Sequence, residues 1–223
     1  MPGVVHEKAD LITKSPTRSR VNDSDATKRN ILEVATEEFA RNGLSGSRID
    51  EIAARTRTSK RMIYYYFGDK EGLYVAVLES IYQKIRAIET RLDLDHLTPV
   101  DALKTLVEFT FDYQNENEDF VRLVMIENIH QGRYLARSKV IQELNVTAID
   151  AIRGLYRRGV EQNVFRDGLD AIDIHWFISA LCFFNVSNRA TFSNIFKRDL
   201  TAPASLSSRR ASVVDTITRF VLR

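Results

Sequence analysis

Between Leu44 and Gly72 the chain reads LSGSRIDEIAARTRTSKRMIYYYFGDKEG, and this stretch limits the fold more than any other. Ile49, Ile52 and Ala53 fall on one face of a short helix, because residues three and four apart stack along the same side. Ser47 is placed to cap that helix with its hydroxyl, and Asp50 three positions on completes a capping box. After the turn Thr56-Arg57-Thr58, Ser59 is placed to cap a second helix, on which Ile63 and Phe67 share a buried face. Lys60, Arg61, Tyr64 and Tyr65 project from its other faces. Arg55, Arg57, Lys60 and Arg61 put four positive charges into seven residues with no acid among them. This is the pattern of a helix-turn-helix with a charged reading face.

That cluster carries the argument for nucleic acid, because the whole chain has a net charge of only +2. Lysine and arginine in the first turn of such a helix reach base edges and phosphates in a major groove. At 223 residues, with 44% hydrophobic and 28% charged, the chain has the composition of an ordinary globular protein with a large core. The single cysteine excludes an internal disulfide framework and fits a reducing cytoplasm. No secretory signal is visible at the start of the sequence. The most apolar run, Ala171–Val186, falls short of the ~20 residues that span a bilayer.

Along the rest of the chain the apolar spacing is helical throughout. Residues 1–24 contain Pro16 and no sustained period, and are expected to form a flexible arm in which Lys14, Arg18 and Arg20 touch DNA or stay solvated. Ser24 or Asp25 is expected to cap a helix through Ile31, Leu32, Ala35 and Phe39 that ends at Asn42-Gly43. Asp69 is placed to cap a long connector carrying Leu73, Val77, Leu78, Ile81, Ile85, Ile88 and Leu92. Thr98 and Pro99 then open a helix to about 115. Further helices follow through Phe120–Ile126, Ile141–Tyr156 and Asp170–Asn188, with a short turn near Tyr134–Ser138. Residues 201–208, TAPASLSS, read as a linker before a last helix over 209–222.

The runs Ile52-Ala53-Ala54, Thr58-Ser59-Lys60, Ile63-Tyr64-Tyr65-Tyr66-Phe67 and Asp69-Lys70-Glu71-Gly72-Leu73 together resemble the TetR family of bacterial transcription regulators. The likeness in motif covers about residues 25–75. The chain departs from the usual pattern at Arg61-Met62, where a small pair is common, and at Arg57, where glycine is. The resemblance implies an all-α protein of about nine or ten helices. A three-helix DNA-binding domain over 25–72 is followed by a helical dimerisation and effector domain over 73–223. It places Lys60, Arg61 and Tyr64 along the groove, with Ser47 and Lys70 holding the backbone. Arg57, Ser59 and Tyr65 complete the expected DNA-binding set.

One recognition helix covers few base pairs, so such proteins bind palindromic sites as two-fold dimers. The Ala171–Val186 helix is apolar nearly all round, more than one core needs. With the last helix it is expected to form the dimer interface through Phe177, Leu181, Phe184, Val213, Ile217 and Phe220. An effector cavity is implied by the resemblance. Polar residues set in apolar sequence are its candidate lining: Tyr113, Arg122, Asn128, His130, Trp176 and Asn185. Each has an ordinary alternative in packing, hydrogen bonding or a salt bridge.

Catalysis finds little support. The four histidines lack metal-ligand spacing, Cys182 has no second cysteine, and no glycine-rich phosphate loop occurs. The reading is therefore a cytoplasmic repressor released from a palindromic operator by a small-molecule effector, nucleoid-associated when on DNA, with no cofactor and no metal. Its expected partners are double-stranded operator DNA, a second copy of itself and a small organic effector, with no membrane among them. The alternative is a constitutive or architectural DNA-binding protein without an effector, which a continuous interior without a cavity would favour.

Overall fold

A computed structural model describes the backbone of residues 18–223 and the side chains of residues 24–223. Among the described residues ten α-helices follow one another: α1 (Arg18–Gly46), α2 (Ile49–Thr56), α3 (Lys60–Phe67), α4 (Lys70–Glu89), α5 (Pro99–Glu116), α6 (Glu118–Ile129), α7 (Lys139–Glu161), α8 (Ala171–Ser187), α9 (Arg189–Phe196) and α10 (Pro203–Val221). Short 3-10 turns join several of them, and the β-type pairing among these residues is an isolated bridge between Phe165 and Leu222. The all-α expectation holds.

α1 corrects the expected start. The arm over 1–24 lies outside the described residues up to position 17, and from Arg18 the chain is already helical. Ser24 and Asp25 therefore fall inside the helix instead of capping it. From Thr17 to Asn42 the sequence contains neither glycine nor proline, so nothing local stops the helix. Gly43 does interrupt it as expected, at φ 66°, a left-handed value that glycine adopts without penalty. Ile31, Ala35 and Phe39 are fully buried. They pack on the start of α4, where Phe39 meets the Tyr74 ring edge-on at 5.1 Å.

α4 follows α3 with hardly a break because Asp69 caps it, accepting from the Gly72 N–H at 2.7 Å. Gly72 is required there: a Cβ would lie 2.1 Å from the Phe67 carbonyl oxygen. Leu73, Val77, Leu78, Ile81 and Ile85 form the buried stripe that the spacing predicts. The first half of α4 is also latched to the α6–α7 connection. Ser138 Oγ donates to Glu79 at 2.6 Å and Arg137 to Glu71 at 2.7 Å. Buried Glu127 holds that connection in shape by accepting the N–H groups of Tyr134 and Leu135 at 3.2 and 3.0 Å.

A second core joins α5, α7, α8 and α10 through Leu103, Val107, Phe111, Ile152, Leu155, Ile174 and Val221. Arg210 of α10 grips Asp112 of α5 with two nitrogens, at 2.8 and 2.7 Å. Thr98 caps α5 by accepting from the Asp101 N–H at 3.2 Å, with Pro99 in the first turn, as the sequence indicates. The C-terminal end differs from expectation. α9 occupies Arg189–Phe196, where the apolar spacing indicates no element, and α10 begins at Pro203, so 201–208 is mostly helix and not linker. Proline is compatible with a first helical turn, where its missing N–H has no partner to lose.

Candidate nucleic-acid interface and effector cavity

α2 and α3 are joined by a turn in which Arg57 is left-handed, at φ 53°. The N–H groups of Arg57 and Thr58 return to the carbonyls of Ala54 and Ala53 at 3.3 and 3.0 Å, closing the helix end. Ser59 caps α3 as expected, its Oγ accepting from the Met62 N–H at 3.2 Å. Ile63 is fully buried beneath α3. Lys60, Arg61, Tyr64 and Tyr65 are exposed on the other faces, with Tyr65 77% open. Tyr66 turns back towards α1, where the Lys28 ammonium lies 5.2 Å from its ring centre, and Phe67 packs on the core.

The four positive charges are not equivalent. Lys60 is ion-paired with Asp50 of α2, and Arg55 with Glu37 of α1. Among the described residues Arg57 and Arg61 form no ion pair, so the uncompensated charge of the motif sits at these two positions. Lys70 reaches the Ser45 carbonyl at 3.4 Å, bracing the entry to α2.

Ser47 is a correction. It is 3% exposed, and its hydroxyl donates to the carbonyls of Glu38 and Gly43 at 3.0 and 2.6 Å. Its N–H is also occupied, on Gly43 at 3.2 Å. The N-cap of α2 is Arg48, with no side-chain cap bond. The kink at Gly43 turns Ser47 inward against the end of α1, so it fastens the motif and has no hydroxyl left for a phosphate.

Behind the motif, α4, α5 and α7 line a half-open cavity of about 410 Å³, walled by apolar residues that include Ala87, Leu94, Leu106, Leu144, Ala148 and Leu155. A second chamber of about 200 Å³ extends towards α8 and is more polar, with Gln114, Asn145, His175 and Ser179 in its wall. Arg86, Glu89 and Leu106 belong to both walls. Arg86 is ion-paired with Glu89 and donates to Asn145 Oδ1 at 2.8 Å. Burial, and then the Arg86 charge, push the His175 imidazole down to about 4. It is neutral near pH 7.

None of the six residues expected to line a cavity lines either chamber. Tyr113 is core, tilted on Phe109 and edge-on to Phe120, and burial pushes its phenol up to about 12. Arg122 is exposed beside Glu118 at 4.0 Å. Asn128 donates to the Val124 carbonyl at 2.9 Å, and His130 lies exposed 6.2 Å from the Tyr134 ring. Asn185 is held between Asn115 at 3.1 Å and Arg209 at 2.6 Å. Trp176 is 71% exposed on the outer face of α8. Periodicity places a residue on its own helix but does not say which neighbour that face meets.

The polar lining includes Gln83, Arg86, Glu89, Gln114, Asn145, His175 and Ser179, none of which the sequence singles out for a cavity. A weak signal existed: Arg86 and Glu89 are three apart at the end of the α4 stripe, and His175 and Ser179 four apart flank buried Ile178.

Residues 31–77 match the family model described as bacterial regulatory proteins, tetR family, and residues 99–217 match the tetracyclin repressor-like C-terminal domain. The chain is 37% identical over 184 residues to the HTH-type transcriptional repressor NicS of Pseudomonas putida, covering 82% of this chain and 87% of that one. The chain belongs to the TetR family. It is also 33% identical to the transcriptional repressor SCO4008 of Streptomyces coelicolor, over 71% of this chain and 78% of that protein. The same fold occurs in the regulator FadR of Bacillus subtilis, solved with stearoyl-CoA: TM-score 0.65 at 18% identity, over 85% of this chain and 97% of that one.

TetR-family proteins bind DNA as dimers, and these relatives are regulators of transcription. On this member the outer face of α8 is apolar and open, with Ile172, Trp176, Phe177 and Phe184 between 43% and 71% exposed and Leu181 beside them at 36%. α10 and α9 extend it: Phe220 meets Phe177 at 4.8 Å, and Phe192 meets Phe184 at 5.3 Å. Val213 and Phe220 are half-buried. Ile217, expected on this face, is 1% exposed and points into the chain's own core, because it lies on the side of α10 that meets α5 and α8. Cys182 is fully buried, and burial followed by the Asp112 charge pushes its thiol up to about 12, so it is inert. No described helix is long and apolar enough to cross a membrane.

Proposed function

We propose that this chain is a homodimeric repressor that occupies a palindromic operator and leaves it when a small organic effector enters the cavity behind α4. Residues 25–72 read DNA, and residues 73–223 dimerise and hold the effector. Arg57, Lys60, Arg61, Tyr64 and Tyr65 face the groove, and the open faces of α8, α9 and α10 meet their symmetry mates in the dimer. It works wherever its operator lies, on nucleoid DNA in the cytoplasm.

The observation that carries this reading is the position of the cavity. Its wall includes Gln83, Arg86, Ala87 and Glu89 of α4, and the other end of α4 follows the recognition helix after two residues. α4 is about 30 Å long at 1.5 Å per residue. A tilt of about 5° at the cavity moves its far end by roughly 2–3 Å. In a two-fold dimer that change doubles. The recognition helices must enter successive major grooves about 34–36 Å apart, so a ligand preferring the tilted conformer lowers operator affinity. It does so only by its difference in affinity between the two conformers. The constitutive reading called for an interior without a cavity, and the cavity counts against it.

The test is selection of bound sequences from random duplex DNA with the full chain at stated salt. Enrichment of one palindrome supports a sequence-specific dimer. Failure to enrich any sequence from low to physiological salt sinks the operator reading.

A further inference from the structure

We propose that the effector is an anionic amphiphile, whose carboxylate takes the place of Glu89 on Arg86 while its apolar body fills the larger chamber. The inference rests on the reading of this cavity as the effector site.

The two chambers differ in chemistry and meet at one ion pair. The larger offers apolar side chains from α4, α5 and α7, enough to bury a body of one or two rings or a medium-length chain. The smaller offers hydrogen-bonding groups. The charged residues in the two walls are Arg86 and Glu89, and His175 beside them is neutral. A ligand lying across the boundary therefore brings its polar end against this pair.

The partners of that pair are not equally bound to their places. Both lie in the last turn of α4, where the free carbonyl ends carry negative partial charge. That end favours the guanidinium and disfavours the carboxylate. Arg86 is also held from α7 by Asn145, whereas Glu89 has Arg86 as its charge partner. The Arg86 Nε–H is buried with no acceptor, and Gln114 Oε1 in the same smaller chamber is buried with no donor. An arginine with one nitrogen unfilled beside a weakly placed carboxylate is a receptor for a second carboxylate, which the planar fork binds through two parallel bonds. Glu89, released, turns to solvent at the helix end. The clamp between α4 and α7 then changes at the cavity end of α4.

Three probes of one shape and different heads test this: 4-phenylbutyrate, 4-phenylbutyramide and 4-phenylbutylamine, titrated calorimetrically into the full chain. The acid is expected to bind at least ten-fold tighter than the amide, and the amine weakest. Arg86→Gln should erase the preference for the acid, and Glu89→Gln, which removes the competing carboxylate, should tighten the acid several-fold. The two variants move in opposite directions, which a loss of folding does not imitate. Equal binding of acid and amide, or preference for the amine, with all binding lost in Ala148→Phe, overturns the anionic head and leaves the effector site standing. Binding unchanged by Ala148→Phe, or no binding of any probe, overturns both.

Discussion

Lys60 and Asp50 are ion-paired across the turn that joins α2 to α3, each about half exposed. The one lysine of α3 is thus already engaged by a carboxylate on the neighbouring helix. Asp50→Asn frees that ammonium and removes an anion from the DNA face. Non-specific affinity is expected to rise several-fold at low salt, the gain shrinking as salt rises. Folding stability should change by less than about 1 kcal/mol, because exposed pairs contribute little. Titration of random-sequence duplex across a salt series checks the first point and thermal unfolding the second.

Arg61 is exposed and forms no ion pair among the described residues, so its guanidinium is available to a base edge. Arg61→Ala should relax selection at one position in each half-site, at about 1–3 kcal/mol for the matched base. Unchanged sequence preference with a salt slope shallower by about one would instead assign Arg61 to a phosphate.

The open apolar face of α8 is expected to be covered by a second copy. Phe184→Glu places a charge beside Phe192. Sedimentation should then show monomer, with helical content retained and palindrome binding lost. A dimer that survives this change would move the interface elsewhere.

Much of this was legible beforehand where one local rule decides the outcome. Ser59, Asp69 and Thr98 each cap the helix that their spacing indicates, since a cap is settled within four residues. The α4 stripe was legible for the same reason. Ser47 obeyed the local rule in sequence and broke it in space: the kink at Gly43 carried its hydroxyl to α1, a long-range contact that capping statistics do not contain. The cavity lining failed on the same ground. Trp176 and Asn185 share α8 with His175, yet their faces meet solvent, α10 and the smaller chamber respectively. Composition of a helix does not tell these apart. Register against its neighbours does.

Gly159 of α7 is fixed by a close approach that the sequence does not announce. A Cβ there would lie 1.9 Å from the ring of Phe165, which is 2% exposed. Gly159→Ala should destabilise by about 1–3 kcal/mol through overpacking, although alanine is the better helix former. Denaturant unfolding measures it, and a stabilised variant would contradict the packing.

His175 gives a pH signature. Its folded value of about 4 is below the ordinary 6.5, so the unfolded chain takes up a proton first. Stability from this group is fully present above about pH 6.5 and is lost as pH falls towards 4. His175→Gln should flatten that part of the stability curve relative to the parent chain, and parallel curves would remove His175 as its source.

On the proposed reading, α4 carries the two specificities of the molecule at opposite ends. The groups proposed to choose a DNA sequence lie before its first turn, and those proposed to choose a ligand lie in its last. Substitutions at either end need not disturb the other, provided the buried stripe between them stays rigid. A regulator so built can acquire a new inducer while keeping its genomic address, or move to a new promoter while keeping its chemical sense, by changing a handful of residues in one place.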